Sequence, residues 1–199
     1  MTGFLEPFRD YAEWVAAILG LITVVLVVRR SIWNYPFALA MVSLYFVEFL
    51  DEKLYSDALL QVFFFAINVY GWWAWARAPE VDNGIEVVAM SLRARATWFV
   101  GTAIAALAWG LLMHRFTDAA APFVDAAVAG ASVAAQWLQS LRRVESWILW
   151  IVADLIAVPL YWWKGLVPTT ILYLVFLGLA VAGLLSWRRA ARPGPMAAA

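Results

Sequence analysis

The sequence predicts an all-α, polytopic membrane protein with seven transmembrane helices. Of its 199 residues, 65% are hydrophobic and only 14% are charged. Several apolar runs approach the roughly 20-residue length that spans a bilayer. Fourteen basic residues balance fourteen acidic ones, so net charge does not favour nucleic-acid binding. There is no cysteine and a single histidine, His114, so we expect no metal site and no cofactor.

The apolar runs place the helices as three spans, one linker span and three further spans within a single transmembrane domain of residues 1–199. The fifth span is the least apolar, because it is rich in alanine and holds Pro122 and Asp125. The tail from Ala190 to Ala199 is predicted to be disordered. The predicted spans are residues 12–28, 32–50, 54–76, 97–114, 120–141, 146–163 and 166–187.

The arginine and lysine residues predict the orientation of the spans. Ten of the fourteen fall on one side of a seven-span chain, including Arg29, Arg30, Arg142 and Arg143. Because basic residues are retained in the cytoplasm, we expect the N-terminus outside and the C-terminus inside.

The third and seventh spans resemble each other without a gap over residues 54–75 and 166–187, including the pair Gly71 and Gly183. Upstream, Arg29, Arg30 and Trp33 match Arg142, Arg143 and Trp147 after a shift of one or two positions. This pattern predicts a duplicated chain in which an odd linker helix gives a parallel repeat. Such an architecture favours a transporter with its site between the two halves.

Polar residues within the third span indicate a binding surface. Gln61 and Asn68 are seven residues apart, so they share one face of a helix about two turns from each other. Buried amides in hydrocarbon need partners, which indicates that this face meets protein or a wet cavity.

The sixth span supplies a second set of candidates. Trp147, Trp150 and Asp154 stand at i, i+3 and i+7, so two indoles and a carboxylate share a helix face. A carboxylate within a span is a functional candidate by default, although it can also be a structural group bonded to tryptophan or tyrosine donors. In the seventh span, Tyr173 aligns with Gln61, while backbone bonding alone would account for Thr169 and Thr170.

Other classes of seven-span protein fit less well. A retinal pigment needs a lysine buried within a span, but Lys53 and Lys164 both lie at helix ends. An intramembrane hydrolase lacks a Ser–His or paired-carboxylate arrangement, so we expect no enzyme. A membrane scaffold or receptor that binds a partner without transport, and a sugar carrier, remain open.

The chain carries three motifs: Trp33-Asn34-Tyr35-Pro36, the run from Leu60 to Phe65 continuing through Asn68 to Tyr70-Gly71-Trp72, and Glu145-Ser146-Trp147 with Trp150. These motifs resemble those of the PnuC family of bacterial vitamin transporters, best known for nicotinamide riboside uptake. The resemblance covers nearly all of the chain outside the termini and residues 78–92. It implies a three-plus-one-plus-three fold resembling a full-length SWEET transporter, a homotrimer in the bacterial inner membrane, and facilitative transport driven by intracellular phosphorylation of the substrate.

The resemblance also implies roles for individual residues. Gln61 and Asn68 would hydrogen-bond the substrate, Trp147 and Trp150 would flank its ring, and Tyr173 would help to close the site. Phe64, within the third-span motif, and Asp154 complete the predicted substrate-binding set. The family commonly has asparagine at the position of Asp154, which leaves thiamin, another vitamin with a fixed positive ring charge, as an alternative to nicotinamide riboside.

Overall fold

The computed structural model describes residues 9–51, 55–117 and 121–193, and these form seven α-helices. The all-helical prediction with seven helices is therefore confirmed for the described residues. The helices are α1 (Arg9–Val28), α2 (Asn34–Asp51), α3 (Tyr55–Trp75), α4 (Leu92–Phe116), α5 (Pro122–Ser140), α6 (Ser146–Trp163) and α7 (Val167–Ala190).

Most helix ends lie within a few residues of the predicted spans, and α6 matches its prediction at both ends. The largest difference is α4, which begins at Leu92 rather than at residue 97. Its first turn carries Arg93 and Arg95, which the apolar pattern excludes from a span. The Ser91 side chain accepts a hydrogen bond from the Ala94 N–H at 3.3 Å, so a conventional N-cap starts the helix ahead of its apolar part.

Two pairs of very short strands occupy positions where no regular structure is predicted. Strands β1 (Glu80–Val81) and β2 (Gly84–Ile85) form an antiparallel hairpin. Its turn residues, Asp82 and Asn83, have φ angles of 50° and 58°, as a tight hairpin turn of this type requires.

The prediction of a disordered tail is wrong for the first residues of that tail. Helix α7 continues through Arg188 and Arg189, whose charges suit a helix C-terminus, and it ends at Ala190. Strand β4 (Arg192–Pro193) then pairs in parallel with β3 (Val88–Ala89). Residues 194–199 of the predicted tail lie outside the described residues.

Among the described residues, four helices are long and apolar enough to cross a membrane, judged by length and composition alone: α3, α4, α6 and α7. A shorter apolar stretch, Trp14–Val28, lies within α1. Helix α2 contains Glu48 and Asp51, and α5 is the alanine-rich span with Asp125. The described residues thus form seven helices where seven spans are predicted, and four of these helices are long and apolar enough to cross a membrane.

The fold divides into two compact units, Met1–Ile85 and Glu86–Ala199. In the first unit, α2 packs against both α1 and α3. The Tyr35 ring meets Trp75 edge-on, with ring centroids 5.4 Å apart. The same ring lies over Gly71, where an added Cβ would come within 2.6 Å of the Tyr35 hydroxyl. The absence of a side chain at Gly71 therefore lets α2 and α3 approach closely.

In the second unit, α4 packs on α5, α5 on α6, and α6 on α7. The Trp147 ring meets Trp187 edge-on at 5.5 Å between centroids. It also covers Gly183, where a Cβ would lie 2.5 Å from ring atoms of Trp147. Both tryptophans are almost fully buried. The contact between α6 and α7 thus has the same composition as the contact between α2 and α3: an aromatic ring over a glycine, closed by a tryptophan.

The turns that precede α2 and α6 also share one geometry. Arg30 and Arg142 have left-handed φ angles of 57° and 60°. Each follows a helix in a Schellman arrangement, in which the arginine N–H bonds three residues back and the next N–H five residues back. These arginines, and each partner in the aromatic–glycine contacts, are 112 residues apart. The turns therefore align at the same spacing as spans three and seven, without the shift of one or two positions expected from the arginine and tryptophan residues.

Replacing Gly183 with alanine should destabilise the second unit. The new methyl group would overlap the Trp147 ring, and overpacking of this kind costs about 1–3 kcal/mol. Gly178, in the same helix, has no atom within 4 Å of the place where a Cβ would stand, so Gly178→Ala is the matched control and should melt at or above the wild-type temperature. Thermal unfolding of the purified protein in detergent measures both, and equal melting temperatures for the two variants would contradict this packing account.

Candidate functional site

The α3 helix places its two amides as predicted, on one face and seven residues apart. Asn68 is buried, and its Nδ2 donates to the Phe64 carbonyl oxygen at 2.9 Å. Gln61 and Phe64 are partly buried, two turns and one turn before Asn68. This face of α3 therefore combines an amide held by its own helix with a second amide that is partly accessible.

The two tryptophans of α6 meet different neighbours. Trp147 is 2% exposed and packs on Gly183 and Trp187 of α7. Trp150 is partly buried, and its Nε1 donates to the Gln139 Oε1 of α5 at 2.9 Å. Positions three residues apart differ by about 60° around a helix, which is enough to direct one indole toward α7 and the other toward α5. The flanking roles of both tryptophans remain predictions.

Asp154 is 4% exposed, and its carboxylate makes no hydrogen bond or ion pair with any residue that the structure describes. Glu145, at the start of α6, is a useful contrast. Its carboxylate accepts from Arg95 Nε at 2.7 Å and from the Met90 N–H at 3.1 Å. Burial without a partner strongly disfavours a carboxylate, so Asp154 is the described acidic group whose surroundings most call for a ligand.

Two aromatic contacts between α6 and α7 show where Asp154 lies along these helices. Antiparallel helices α6 and α7 touch through Trp147 and Trp187 at one end and through Tyr161 and Tyr173 at the other, where ring centroids are 5.0 Å apart. Asp154 is seven residues from Trp147 and seven from Tyr161, the two aromatic residues that α6 contributes, and lies about 10.5 Å along the helix axis from each. It therefore lies midway along the contact between the two helices.

The residue midway along α7 is Ala180, which is also buried. The first unit has an equivalent pair of buried residues, two helical turns from its contact of Tyr35 with Trp75. These residues are Val42 of α2 and Asn68 of α3. Each unit thus carries one buried polar side chain at this level, on α3 in the first unit and on α6 in the second.

Tyr173 lies at the end of α6 and α7 away from Trp147. Its ring contacts Tyr161 and also meets Phe176 edge-on at 6.1 Å. Lys164 is nearby, 6.0 Å from the Tyr161 ring centroid, and its Nζ donates to Asp125 at 3.1 Å. The predicted closing residue therefore belongs to an aromatic cluster beside a partly exposed ion pair.

Sequence reasoning did not assign a role to Gln139. It is a buried amide near the end of an apolar helix, and it accepts the Trp150 hydrogen bond. Gln139, like Gln61 and Asn68, is an amide within a predicted span, and such an amide needs a partner.

Comparisons with known proteins all identify transporters as similar to this chain. A family model described as nicotinamide mononucleotide transporter matches residues 10–189. The nicotinamide riboside transporter PnuC of Escherichia coli strain K12 is 29% identical over 209 residues, covering 92% of this chain and 87% of that protein. The riboflavin/roseoflavin transporter RibM of Streptomyces davaonensis is 28% identical over 190 residues, covering 92% and 89%.

A crystal structure of the vitamin B3 transporter PnuC matches the fold with a TM-score of 0.76. The identity is 25%, and the match covers 94% of this chain and 83% of that one. The family match extends over nearly the whole chain, through all seven helices that the structure describes. The resemblance in the sequence motifs is therefore confirmed, and the chain belongs to the PnuC family of membrane transporters, whose family model is described as nicotinamide mononucleotide transporter.

Proposed function

We propose that this protein carries nicotinamide riboside into the cell by facilitated diffusion. The observation that carries the proposal is Asp154, a buried carboxylate for which the described residues provide no partner. Nicotinamide riboside has a fixed positive charge on its aromatic ring, and such a ring can supply the missing charge while tryptophan faces contact it. Relatives named as nicotinamide riboside transporters support the same substrate.

Charge also favours the riboside over its phosphorylated form. Among the described residues, the charged side chains that are buried are Glu145 and Asp154, and both are acidic. A phosphate near Asp154 would meet a like charge in a medium of low dielectric. We therefore infer that the phosphorylated product is a poor ligand, so that phosphorylation by a cytoplasmic kinase traps the vitamin inside.

Riboflavin is the second candidate, because RibM is nearly as similar to this chain, at 28% identity, as the E. coli nicotinamide riboside transporter is, at 29%. Thiamin, which also has a cationic ring, remains a third. Riboflavin has a flat, neutral ring system that could stack on aromatic side chains but would leave Asp154 without a counter-charge. Charge therefore separates the first candidate from the second.

We further propose that the chain is a parallel repeat of three helices, a linker helix and three helices, similar to a full-length SWEET transporter. Support comes from the features that recur 112 residues apart: the left-handed arginines, the aromatic–glycine contacts and the buried layer two turns from them. Transport would then proceed by alternating access, with one helix triplet rocking against the other. We also propose a homotrimer in the bacterial inner membrane with its N-terminus outside.

The seven predicted site residues are proposed to contact the substrate during this cycle. Asn68 and Asp154 are the best supported of them, because each is the buried polar group in the corresponding layer of its unit. Gln61 and Phe64 would extend the contact along α3. Trp147, Trp150 and Tyr173 would supply aromatic surface.

Uptake into liposomes tests the proposed function. Purified protein should exchange internal unlabelled nicotinamide riboside for external labelled nicotinamide riboside without an ion gradient, since facilitated diffusion needs none. An excess of nicotinamide mononucleotide should compete poorly because of its phosphate. Exchange of riboflavin in place of nicotinamide riboside would transfer the assignment to the second candidate, and binding without exchange would identify a receptor.

Truncating Gln61 tests the polar face of α3. We expect Gln61→Ala to lower the rate of nicotinamide riboside exchange at low substrate concentration by about fivefold, the effect of losing one net hydrogen bond. Val62→Ala is the matched control, because Val62 is adjacent but lies on the exposed side of α3, and it should retain wild-type exchange. Equal rates for wild type and Gln61→Ala would remove this amide from the substrate contact.

A further inference from the structure

The bond between Trp150 and Gln139 joins α6 to the last turn of α5. The indole Nε1 donates to the Gln139 Oε1 at 2.9 Å, and Gln139 is 8% exposed. Trp150 also packs against an apolar cluster made of five buried residues: Met90, Ala134, Ala135, Leu138 and Leu149. Within these apolar surroundings, the described hydrogen bond satisfies the indole N–H and fixes its direction.

The first unit supplies an internal comparison for this bond. The positions 112 residues before Gln139 and Trp150 are Val27 and Ala38, which are buried to 1% and 3% exposure. The corresponding pair of helices, α1 and α2, therefore packs without an amide and without an indole at these positions. Helix packing alone does not require the bond, and this points to a function specific to the second unit.

Trp150 is also the neighbour of Asp154 on α6. Residues four apart lie one above the other on the same side of a helix. The direction of the indole therefore determines which of its atoms face the carboxylate. Because Gln139 holds the N–H edge of the indole toward α5, the ring cannot rotate freely about its side-chain bonds while the hydrogen bond persists.

We propose that Gln139 is a positioning residue that fixes the Trp150 indole, so that its remaining accessible surface and the Asp154 carboxylate together receive the cationic ring of the vitamin. This inference rests on the proposed function, since it requires that Trp150 contact the substrate. Gln139 itself does not touch the substrate in this account. Its contribution is preorganisation: without the bond, substrate binding must also order the indole.

A double-mutant cycle tests the inference. The dissociation constant for nicotinamide riboside and the maximal exchange rate are measured for wild type, Gln139→Leu, Trp150→Phe and the double variant. We expect Gln139→Leu to raise the dissociation constant about fivefold, as for one net hydrogen bond, and to change the maximal rate less than twofold. Because Trp150→Phe already lacks the indole N–H, the double variant should bind no more weakly than Trp150→Phe.

Gln136→Leu is the matched control, because it removes another amide from α5, three residues away, and it should bind as wild type does. Melting temperatures of all variants separate positioning from folding, since a purely structural role would lower stability without this pattern of dissociation constants. If Gln139→Leu does not fold, Gln139→Asn withdraws the acceptor by one methylene, and it should raise the dissociation constant in the same way.

Wild-type affinity in the Gln139 variants would overturn the inference. So would an equal additional loss when Gln139→Leu is placed in the Trp150→Phe background. Affinity unaffected by Trp150→Ala would overturn it as well, yet would leave nicotinamide riboside transport intact. Failure of the proposed function looks different, because the wild-type protein would then neither bind nor exchange nicotinamide riboside.

Discussion

The packing of the second unit depends on a glycine, Gly183, at the contact between α6 and α7. At Gly183 the Trp147 ring occupies the volume where a Cβ would stand, and Trp187 closes the contact edge-on. This packing fixes how α6 and α7 lie against each other at one end, and the ring pair of Tyr161 and Tyr173 fixes the other. Asp154 is positioned as a result, midway between these contacts and opposite the small residue Ala180. The burial of Asp154 therefore follows from the helix packing, which determines which residues of α6 are enclosed.

Within this frame, the two buried carboxylates of the second unit have different surroundings. Glu145 has an arginine and a backbone N–H as partners, so its charge stabilises the connection between the start of α4 and the start of α6. Asp154 has neither among the described residues. In the proposed function, a transported cation is the partner of Asp154 for part of each transport cycle. The Gln139 bond adds the aromatic component, since it directs the neighbouring indole.

Much of this could be predicted from the sequence, and the exceptions have physical causes. Span 146–163 is predicted at both ends because its apolar run begins after Glu145 and ends before Lys164. The start of α4 is missed because its first turn contains arginines, and the hairpin at Asp82-Asn83-Gly84 is missed although its turn residues are a typical signal. Helical spacing groups Trp147, Trp150 and Asp154 on one side of α6, but a 60° difference separates the neighbours of the two indoles. The partner of Trp150 depends on which face α5 presents, and sequence spacing does not contain that information.

If the Asp154 carboxylate selects a cationic ring, one pair of ligands isolates the effect of the charge on that ring. Nicotinamide riboside and its reduced dihydro form have nearly the same shape, but only the oxidised form has a charged ring. Titration calorimetry on the wild-type protein should show that the cation binds about tenfold more tightly than the neutral form. A tenfold ratio of dissociation constants corresponds to about 1.4 kcal/mol, which a modest difference in Coulomb energy supplies. Asp154→Asn, which keeps the size of the side chain but removes its charge, should bind both forms about equally. If wild type and Asp154→Asn preferred the cation to the same extent, the Asp154 carboxylate would not be the group that selects the cationic ring.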